Sequence, residues 1–362
     1  KRGTSLMDPS LLIPSPDPIP VHWGWLQFLL ILTFVLHLLF MNTMLGTAII
    51  ALVASYRGKA QDLRTEKEIS TKLPYIIAFT INLGVAPLLF IQVLYGHLIY
   101  TSSVLMAVYW LSIIAILLIA YYSAYIYDFK FEVLGASRTF FIAATVILLL
   151  FIGFLFSNNL TLMLTPEKWS QYFTNPNGTI LNLHEPTLIP RYLHFVVASV
   201  AVGGLFLSLT WELKKRDTYN ESKEKIKQGM KWFTYATIVQ VFIGLWFLIS
   251  LPKDITALFM GENLPAMILL LSGIIGAILA LIFGFKNRVW PCAGTTLFTI
   301  VIMVIIRELV RREYLKPHFT VSALKVEAQY SPLILFIVTL ITGLFLVGYM
   351  LNLAFRKKGE AE

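Results

Sequence analysis

Long runs of apolar residues, separated by short polar connections, make up most of the chain. A helix that crosses a membrane needs about 20 mainly apolar residues, and nine runs qualify. Because a backbone exposed to lipid must satisfy its own hydrogen bonds, each run is predicted to be a helix. The predicted spans are residues 24–55, 74–99, 104–127, 139–158, 190–211, 231–251, 264–285, 291–310 and 331–355.

The composition supports this reading. Of 362 residues, 57% are hydrophobic and 14% are charged, whereas a soluble protein has about 25% charged residues. These values exclude an ordinary soluble enzyme, a disordered chain and a fibre. The predicted fold class is an all-α integral membrane protein with a bundle of about nine transmembrane helices. Because Cys292 is the only cysteine, the chain can form no internal disulfide and attach no c-type haem of its own.

Basic residues are distributed unevenly between the two sets of connections. Of the 29 Lys and Arg residues, 19 fall in one set and ten in the other. Cytoplasmic loops carry the excess of Lys and Arg, so the basic set is predicted to be cytoplasmic, and the net charge of +9 is explained without a nucleic-acid partner. The basic set comprises 56–73, 128–138, 212–231, 286–290 and the C-terminal tail.

The same argument predicts the organisation of the chain. Residues 1–22 are a proline-rich outer segment, 23–355 form the membrane domain, and 356–362 form a cytoplasmic tail. The N-terminus is expected outside and the C-terminus in the cytoplasm, as nine spans require. The predicted location is the inner membrane of a bacterium, as a multi-pass protein in contact with the lipid bilayer.

The six histidines all avoid the basic connections. Ionisable groups inside membranes are expensive and usually functional, and neutral imidazole is a ligand of haem iron. Their one-sided placement therefore indicates ligand or redox chemistry near the outer face. His37 is inside the first span, His97 ends the second and His194 begins the fifth, while His22, His184 and His318 lie in outer loops or at helix entrances.

The fifth span carries the most specific motif. Arg191 and His194 are followed by Ser199, Gly203 and Gly204, and then by a basic stretch from residue 214. This pattern resembles subunit I of the cytochrome bd quinol oxidases, in which the fifth-helix histidine ligates the low-spin b haem. The resemblance implies that His194 is a haem ligand. The alternative is a histidine hydrogen-bonded to a neighbouring carbonyl group.

Other segments extend the resemblance over most of the chain. Gln27, His37 and Gly46 are similar to the family's first helix with its high-spin haem ligand, and residues 82–86 and 95–96 are similar to its second helix. Met267 resembles the methionine that completes the low-spin haem, although a membrane methionine usually serves packing. Glu308 with Arg311 resembles the family's Glu-x-Gly-Arg-Gln-Pro-Trp signature, in which the glutamate ligates a high-spin haem. The alternative for Glu308 is an ion pair with Arg311 or Arg312.

The resemblance implies two or three b-type haems, with another high-spin haem type as an option. A His/Met pair at His194 and Met267 favours a low-spin electron-transfer haem of raised potential. His97 is a further candidate haem ligand, or else an interfacial histidine. Haem propionates or an outer partner would bind the basic residues Arg191, Arg307, Arg311 and Lys253. His22 belongs either to an aromatic belt or to a contact with a partner.

The departures from the family point away from quinol oxidation and oxygen reduction. The family's long quinol-binding loop corresponds here to residues 252–263 only. No Asp or Glu occurs between residues 69 and 127, and Gln92 stands near the place of a helix-two glutamate. Residues 310–314 read Val-Arg-Arg-Glu-Tyr in place of Gly-Arg-Gln-Pro-Trp. The usual carboxylate relay for protons from the inner side is therefore missing.

The sequence thus predicts a haem b-containing electron-transfer subunit of a respiratory complex. It would exchange electrons with a periplasmic c-type or multihaem cytochrome, alongside further membrane subunits. A divergent bd-type terminal oxidase subunit that reduces oxygen is the first alternative. A membrane anchor that has lost its haems is the second. The use of quinone and the direction of electron flow are left open.

Overall fold

The computed structural model describes residues 9–214 and 219–359. Within them no β-strand occurs, and nine helices are long and apolar enough to cross a membrane. The predicted all-α, nine-span membrane protein is confirmed, while parts of the predicted outer segment (1–8), basic loop (215–218) and tail (360–362) lie outside the described residues. The helices are α1 (Trp23–Arg57), α2 (Ala60–Leu105), α3 (Ala107–Phe129), α4 (Arg138–Leu164), α5 (Leu188–Leu213), α6 (Tyr219–Ser250), α7 (Leu264–Phe285), α8 (Val289–Leu315) and α9 (Tyr330–Gly359).

The end of the bundle at which α1 begins, here called the N face, is closed by packed loops. One hydrophobic cluster there joins Ile19, the ends of α2, α4 and α8, and the loop residue Trp169. The segment before α1 also pairs with the connection before α9. The backbone N–H of Ile19 donates to the carbonyl oxygen of Lys325 at 2.8 Å, and the N–H of Glu327 donates to that of Ile19 at 2.9 Å.

The centre of the bundle is built around α1, which packs against α2 and α5. A Cβ atom added to Gly46 of α1 would lie 1.8 Å from the carbonyl oxygen of Ser199 in α5, and one added to Gly203 would lie 2.5 Å from the carbonyl carbon of Gly46. No side chain fits at either position, so glycine lets the two backbones touch. Further pairs are α5 with α6, α3 with α4, and α7 with α8.

The opposite end, here called the C face, is held by ion pairs from the first turns of α2. The Glu66 side chain is 1% exposed. It accepts hydrogen bonds from Tyr127 Oη of α3 and Arg138 Nε of α4, both at 3.0 Å. The neighbouring Glu68 Oε1 accepts from Lys72 at 2.9 Å and from Lys214 of α5 at 2.7 Å. These contacts fix the start of α2 to three other helices.

The predicted boundaries of three connections are wrong. Residues 56–73 and 212–231 were expected to be loops, but α2 already begins at Ala60 and α6 at Tyr219. At the N face, α8 likewise continues to Leu315, into the expected connection 307–330. One side of these extra turns is buried against the bundle and combines apolar residues with polar ones, and this burial stabilises them. Buried side chains on these turns are Thr65, Glu66, Ile69, Ser222, Ile226, Met230, Arg311 and Leu315.

The ninth helix differs from the other eight. All its described side chains, from Tyr330 to residue 353, are exposed, whereas every other span is partly buried. Hydropathy alone predicts a span, because an apolar helix satisfies that test whether lipid or protein surrounds it. The packed bundle therefore consists of α1 to α8, and α9 stands beside it.

Candidate functional site

A cleft of about 550 Å³, including its open side, lies between five helices near the N face. Ligand pockets typically combine apolar walls with a few polar groups. This cleft follows that description, because one imidazole and two guanidinium groups face a mainly apolar wall. Its lining includes Phe34 and His37 of α1, Gly84 and Pro87 of α2, Trp110 of α3, Asn159 of α4, and Arg307 and Arg311 of α8.

His37 is held in a defined orientation at this cleft. Its Nδ1 lies 3.1 Å from the carbonyl oxygen of Thr80 in α2. A carbonyl oxygen only accepts, so Nδ1 carries the hydrogen and Nε2 keeps a free lone pair. Metal-ligating histidines commonly show this arrangement, because the second hydrogen bond fixes the tautomer and the ring. The geometry fits the predicted role of His37 as an iron ligand.

Gly84 makes room for the His37 ring. A Cβ atom at this position would lie 2.9 Å from Cε1 and 3.1 Å from Nδ1 of His37. Both distances are shorter than ordinary van der Waals contact, so a larger residue would displace the ring. Pro87 lies less than one turn further along α2 and has no N–H to donate to the preceding turn. α2 is therefore adapted to His37 on the side that faces the cleft.

Glu308 lies at the same end of α8 but is fully engaged. The residue is 5% exposed, and its Oε1 accepts a hydrogen bond from Tyr95 Oη at 2.6 Å. Arg311 Nη1 donates to Oε2, and Arg312 Nε lies 3.8 Å from Oε1. The ion pairs considered as the alternative are both present. Glu308 is therefore the counter-charge of the arginines, and its ligation of iron stays a prediction.

The cleft residues around His37 form a first group of candidate side chains. A second group lies between α5 and α6 and contains Arg191 and His194. Arg191 is 6% exposed, yet its Nε and Nη2 have no hydrogen-bond partner. One turn later on the same helix, the Nδ1 of His194 is also enclosed and unpartnered. Burying a charged or polar group without a partner is costly. This pair is therefore suited to an anionic ligand that also takes an imidazole nitrogen.

One side of α6 faces this second group. The Phe247 ring lies 6.2 Å from the His194 ring and 5.1 Å from Cζ of Arg191. A Cβ atom at Gly244 would lie 3.3 Å from Cε1 of His194. Gln240, one turn before Gly244, has a buried and unpartnered Oε1. Small, aromatic and polar residues thus alternate along the side of α6 that lies against His194.

The contacts of the other two predicted iron ligands, Met267 and His97, are less well defined than those of His37 and His194. Met267 is partly buried at the start of α7, and its neighbours Ala266 and Leu270 pack in the hydrophobic cluster that contains Phe247. His97 has a buried, unpartnered Nε2, and its ring packs edge-on against Phe319 at 4.5 Å. Met267 itself is not a member of that cluster, so its role as an iron ligand stays a prediction, whereas His97 lies under the loops of the N face.

The remaining candidates are surface residues. His22 is exposed and caps α1, with its Nδ1 accepting from the N–H of Gly24 at 3.1 Å. His184 is exposed, and Lys253 is exposed at the start of the short helix Lys253–Ala257. That connection adds one π turn before α7 begins. Neither the geometry of His22 nor that of Lys253 joins it to the two groups.

Sequence reasoning missed the contacts that other helices supply. Thr80 offers only a backbone carbonyl, and Gly244 and Phe247 are common residues for a membrane helix. A weak signal exists, because glycine in an apolar helix marks a place where another group approaches closely. Among the described residues, no set of three or more His, Cys, Asp and Glu side chains could hold a bare metal ion. Single histidines suit an iron that a macrocycle already holds.

Comparison with known proteins adds no assignment. No protein-family model matches the chain, and no curated protein matches it significantly. The resemblance to cytochrome bd subunit I therefore remains a prediction from the residues quoted above.

Proposed function

We propose that this multi-pass membrane protein is a haem b-binding electron-transfer subunit of a respiratory complex. The observation that carries the proposal is the pair Arg191 and His194, buried on one face of α5 with unpartnered nitrogens. A haem supplies the partner that Arg191 lacks, because propionates pair with guanidinium groups, and its iron would take the imidazole of the buried His194. Bound haem would supply one-electron transfer.

Each residue of the two groups then has a role. His194 and Met267 are the proposed ligands of a low-spin haem, and His37 is the proposed ligand of a second haem at the cleft. Arg191, Arg307 and Arg311 orient the carboxylate groups. The apolar walls would limit the access of water to a bound haem and so tune its redox potential. His97 is a candidate for a third haem.

The proposed orientation puts the N face outside, in the inner membrane of a bacterium. The excess of Lys and Arg in the connections of the C face supports this orientation. Both groups lie towards the N face, where α5 begins and α8 ends. The proposed electron partner is therefore an outer c-type or multihaem cytochrome, and further membrane subunits complete the complex.

The test is the haem content of the purified protein and of His194→Ala. We expect the variant to insert into the membrane but to lose the low-spin haem signal in a reduced-minus-oxidised spectrum. His184→Ala is the control, because His184 is exposed and its loss should leave the spectrum unchanged. A full low-spin signal in His194→Ala would remove this ligand. A wild-type protein that purifies without haem would support the anchor instead.

A bd-type oxidase subunit is the second candidate, and the cleft favours it. His37 offers one iron ligand beside open volume, and an iron with a free position can bind oxygen. Oxygen reduction also consumes protons, and α3 offers no carboxylate before Asp128 for an inner relay. Binding of carbon monoxide and rapid turnover in an oxygen electrode would favour the oxidase. We expect fast exchange with a reduced cytochrome and little oxygen consumption.

A further inference from the structure

Arg307 lies between the two groups. It lines the cleft together with His37, and its Cζ sits 4.3 Å from the centre of the Phe34 ring. Three residues before it on α8, Val304 packs in the hydrophobic cluster that contains Phe34, and three residues after it Val310 packs in the cluster that contains Phe247. Arg191 of the second group lies beside Phe247. At Arg307, α8 therefore passes close to both groups.

Positive charge is in excess at this meeting point. Arg191, Arg307 and Arg311 interact with one another, and Glu308 is the buried carboxylate among them. Glu185 also interacts with Arg191, but Nε and Nη2 of that arginine remain without a hydrogen bond. Counting Glu185 still leaves more cations than anions. Like charges repel strongly where the local dielectric constant is low.

The three arginines are not equivalent. Arg311 is committed to Glu308 by a direct hydrogen bond, and Arg191 faces the second group. Arg307 has no carboxylate of its own within salt-bridge distance among the described residues, and its one recorded close contact is an aromatic ring. Arg307 is therefore free to form an ion pair with an anionic ligand bound at either group.

We propose that Arg307 is a shared positioning residue that pairs with the propionates of both haems. This inference rests on the proposed function, because it requires a haem at each group. A cation near a haem favours the reduced state, which carries one positive charge less. Because one cation serves both haems, its removal should lower both midpoint potentials. Reduction of one haem should also make reduction of the other harder.

The experiment is a redox titration of the purified full chain with its haems. Arg307→Gln should lower both midpoint potentials, whereas Arg191→Gln should lower mainly that of the His194 haem. Lys316→Gln is the control, because this residue is on the same helix with its side chain 66% exposed, and both potentials should stay unchanged. A shift of only one potential in Arg307→Gln, or of neither, overturns the shared role.

Arg307→Lys covers the case in which Arg307→Gln loses haem. The lysine keeps the charge, so we expect both haems to remain bound. If Arg307→Gln loses both haems and Arg307→Lys keeps them, the result agrees with a cation shared by both haems. If Arg307→Gln loses only one haem, the result contradicts the shared role. Absence of both haems from the wild-type protein is a different result. It would refute the proposed function and the shared role together, whereas unaffected potentials would refute only the shared role.

Discussion

The two faces of the bundle treat buried charge in opposite ways. At the C face, Glu66 receives two donors from other helices, and Glu68 Oε1 receives two lysines, one of them on its own helix. At the N face, buried guanidinium groups exceed the carboxylates, and Arg191 and His194 keep unpartnered nitrogens. Among the ionisable groups that the structure describes, the C face leaves one atom unpartnered, Glu68 Oε2, on a carboxylate whose other oxygen is paired, whereas the N face leaves several.

The difference separates structural charge from functional charge. An ion pair that satisfies both partners needs nothing further and acts as a link between helices. A buried cation without a partner is tolerated only where a ligand or another gain compensates for it. Burial of a charged residue in a membrane helix is therefore weak support for a site. The number of its unsatisfied atoms is the more informative quantity.

The largest effect is expected for Gly84→Val, which tests the candidate site at the N face. The added side chain would collide with His37, since even a Cβ atom would lie 2.9 Å from Cε1. We expect loss of the haem at the cleft and retention of the His194 haem, measured as haem per protein by pyridine haemochrome analysis. Gly294→Val is the control, because nothing lies within 4 Å of a Cβ there. Full haem content in Gly84→Val would show that His37 is not a ligand.

A second prediction addresses the C face. Glu66→Gln weakens the contacts with Tyr127 and Arg138 and should lower the free energy of unfolding by about 2 kcal/mol, the loss expected for buried hydrogen bonds to a charged group. The haem spectrum should not change. The measurement is the Tm of the purified protein, with Glu132→Gln as control, since that side chain is 81% exposed and lies 4.0 Å from Lys67. A changed spectrum would mean that the two faces are not independent.

The smallest effect is expected for Tyr95→Phe, which tests Glu308, the buried acid of the N face among the residues that the structure describes. The change removes the hydrogen bond to Glu308 at 2.6 Å and leaves Arg311 as the partner of that carboxylate. We expect a loss of about 1 kcal/mol in thermal unfolding and full haem content. Tyr100→Phe is the control, because its ring is 56% exposed. Release of haem from Tyr95→Phe would give Glu308 a direct part in binding.

Hydropathy predicted the number of spans because lipid exposure leaves a long, continuous signal. It failed at the start of α2, where Glu66 and Glu68 look like loop residues until their partners on α3, α4 and α5 are known. It also failed to separate α9 from the bundle. In both cases the deciding contacts come from residues far away in sequence, and no local pattern contains them.

The candidate site likewise contains features that the sequence could predict and features that only the structure shows. His37 and His194 could be singled out, because an imidazole in an apolar helix is rare enough to need a reason. The carbonyl of Thr80 that orients His37 could not be predicted, since every residue has a carbonyl. The distinction between Arg311, which is paired with a carboxylate, and Arg307, which has no such partner in the described part of the chain, likewise required the packing of α8 against its neighbours.

The backbone contact between α1 and α5 has a mechanical consequence. His37 precedes Gly46 on α1, and His194 precedes Ser199 on α5, so both histidines extend from one rigid joint. A helix rises about 1.5 Å per residue, which puts His37 about 13 Å and His194 about 7 Å from that joint along their own helices. At Gly46 and Gly203 the two backbones are in direct contact, with no side chain between them. The separation of the two helices there is therefore set by backbone alone, and the two imidazoles project from helices that are spaced by this contact.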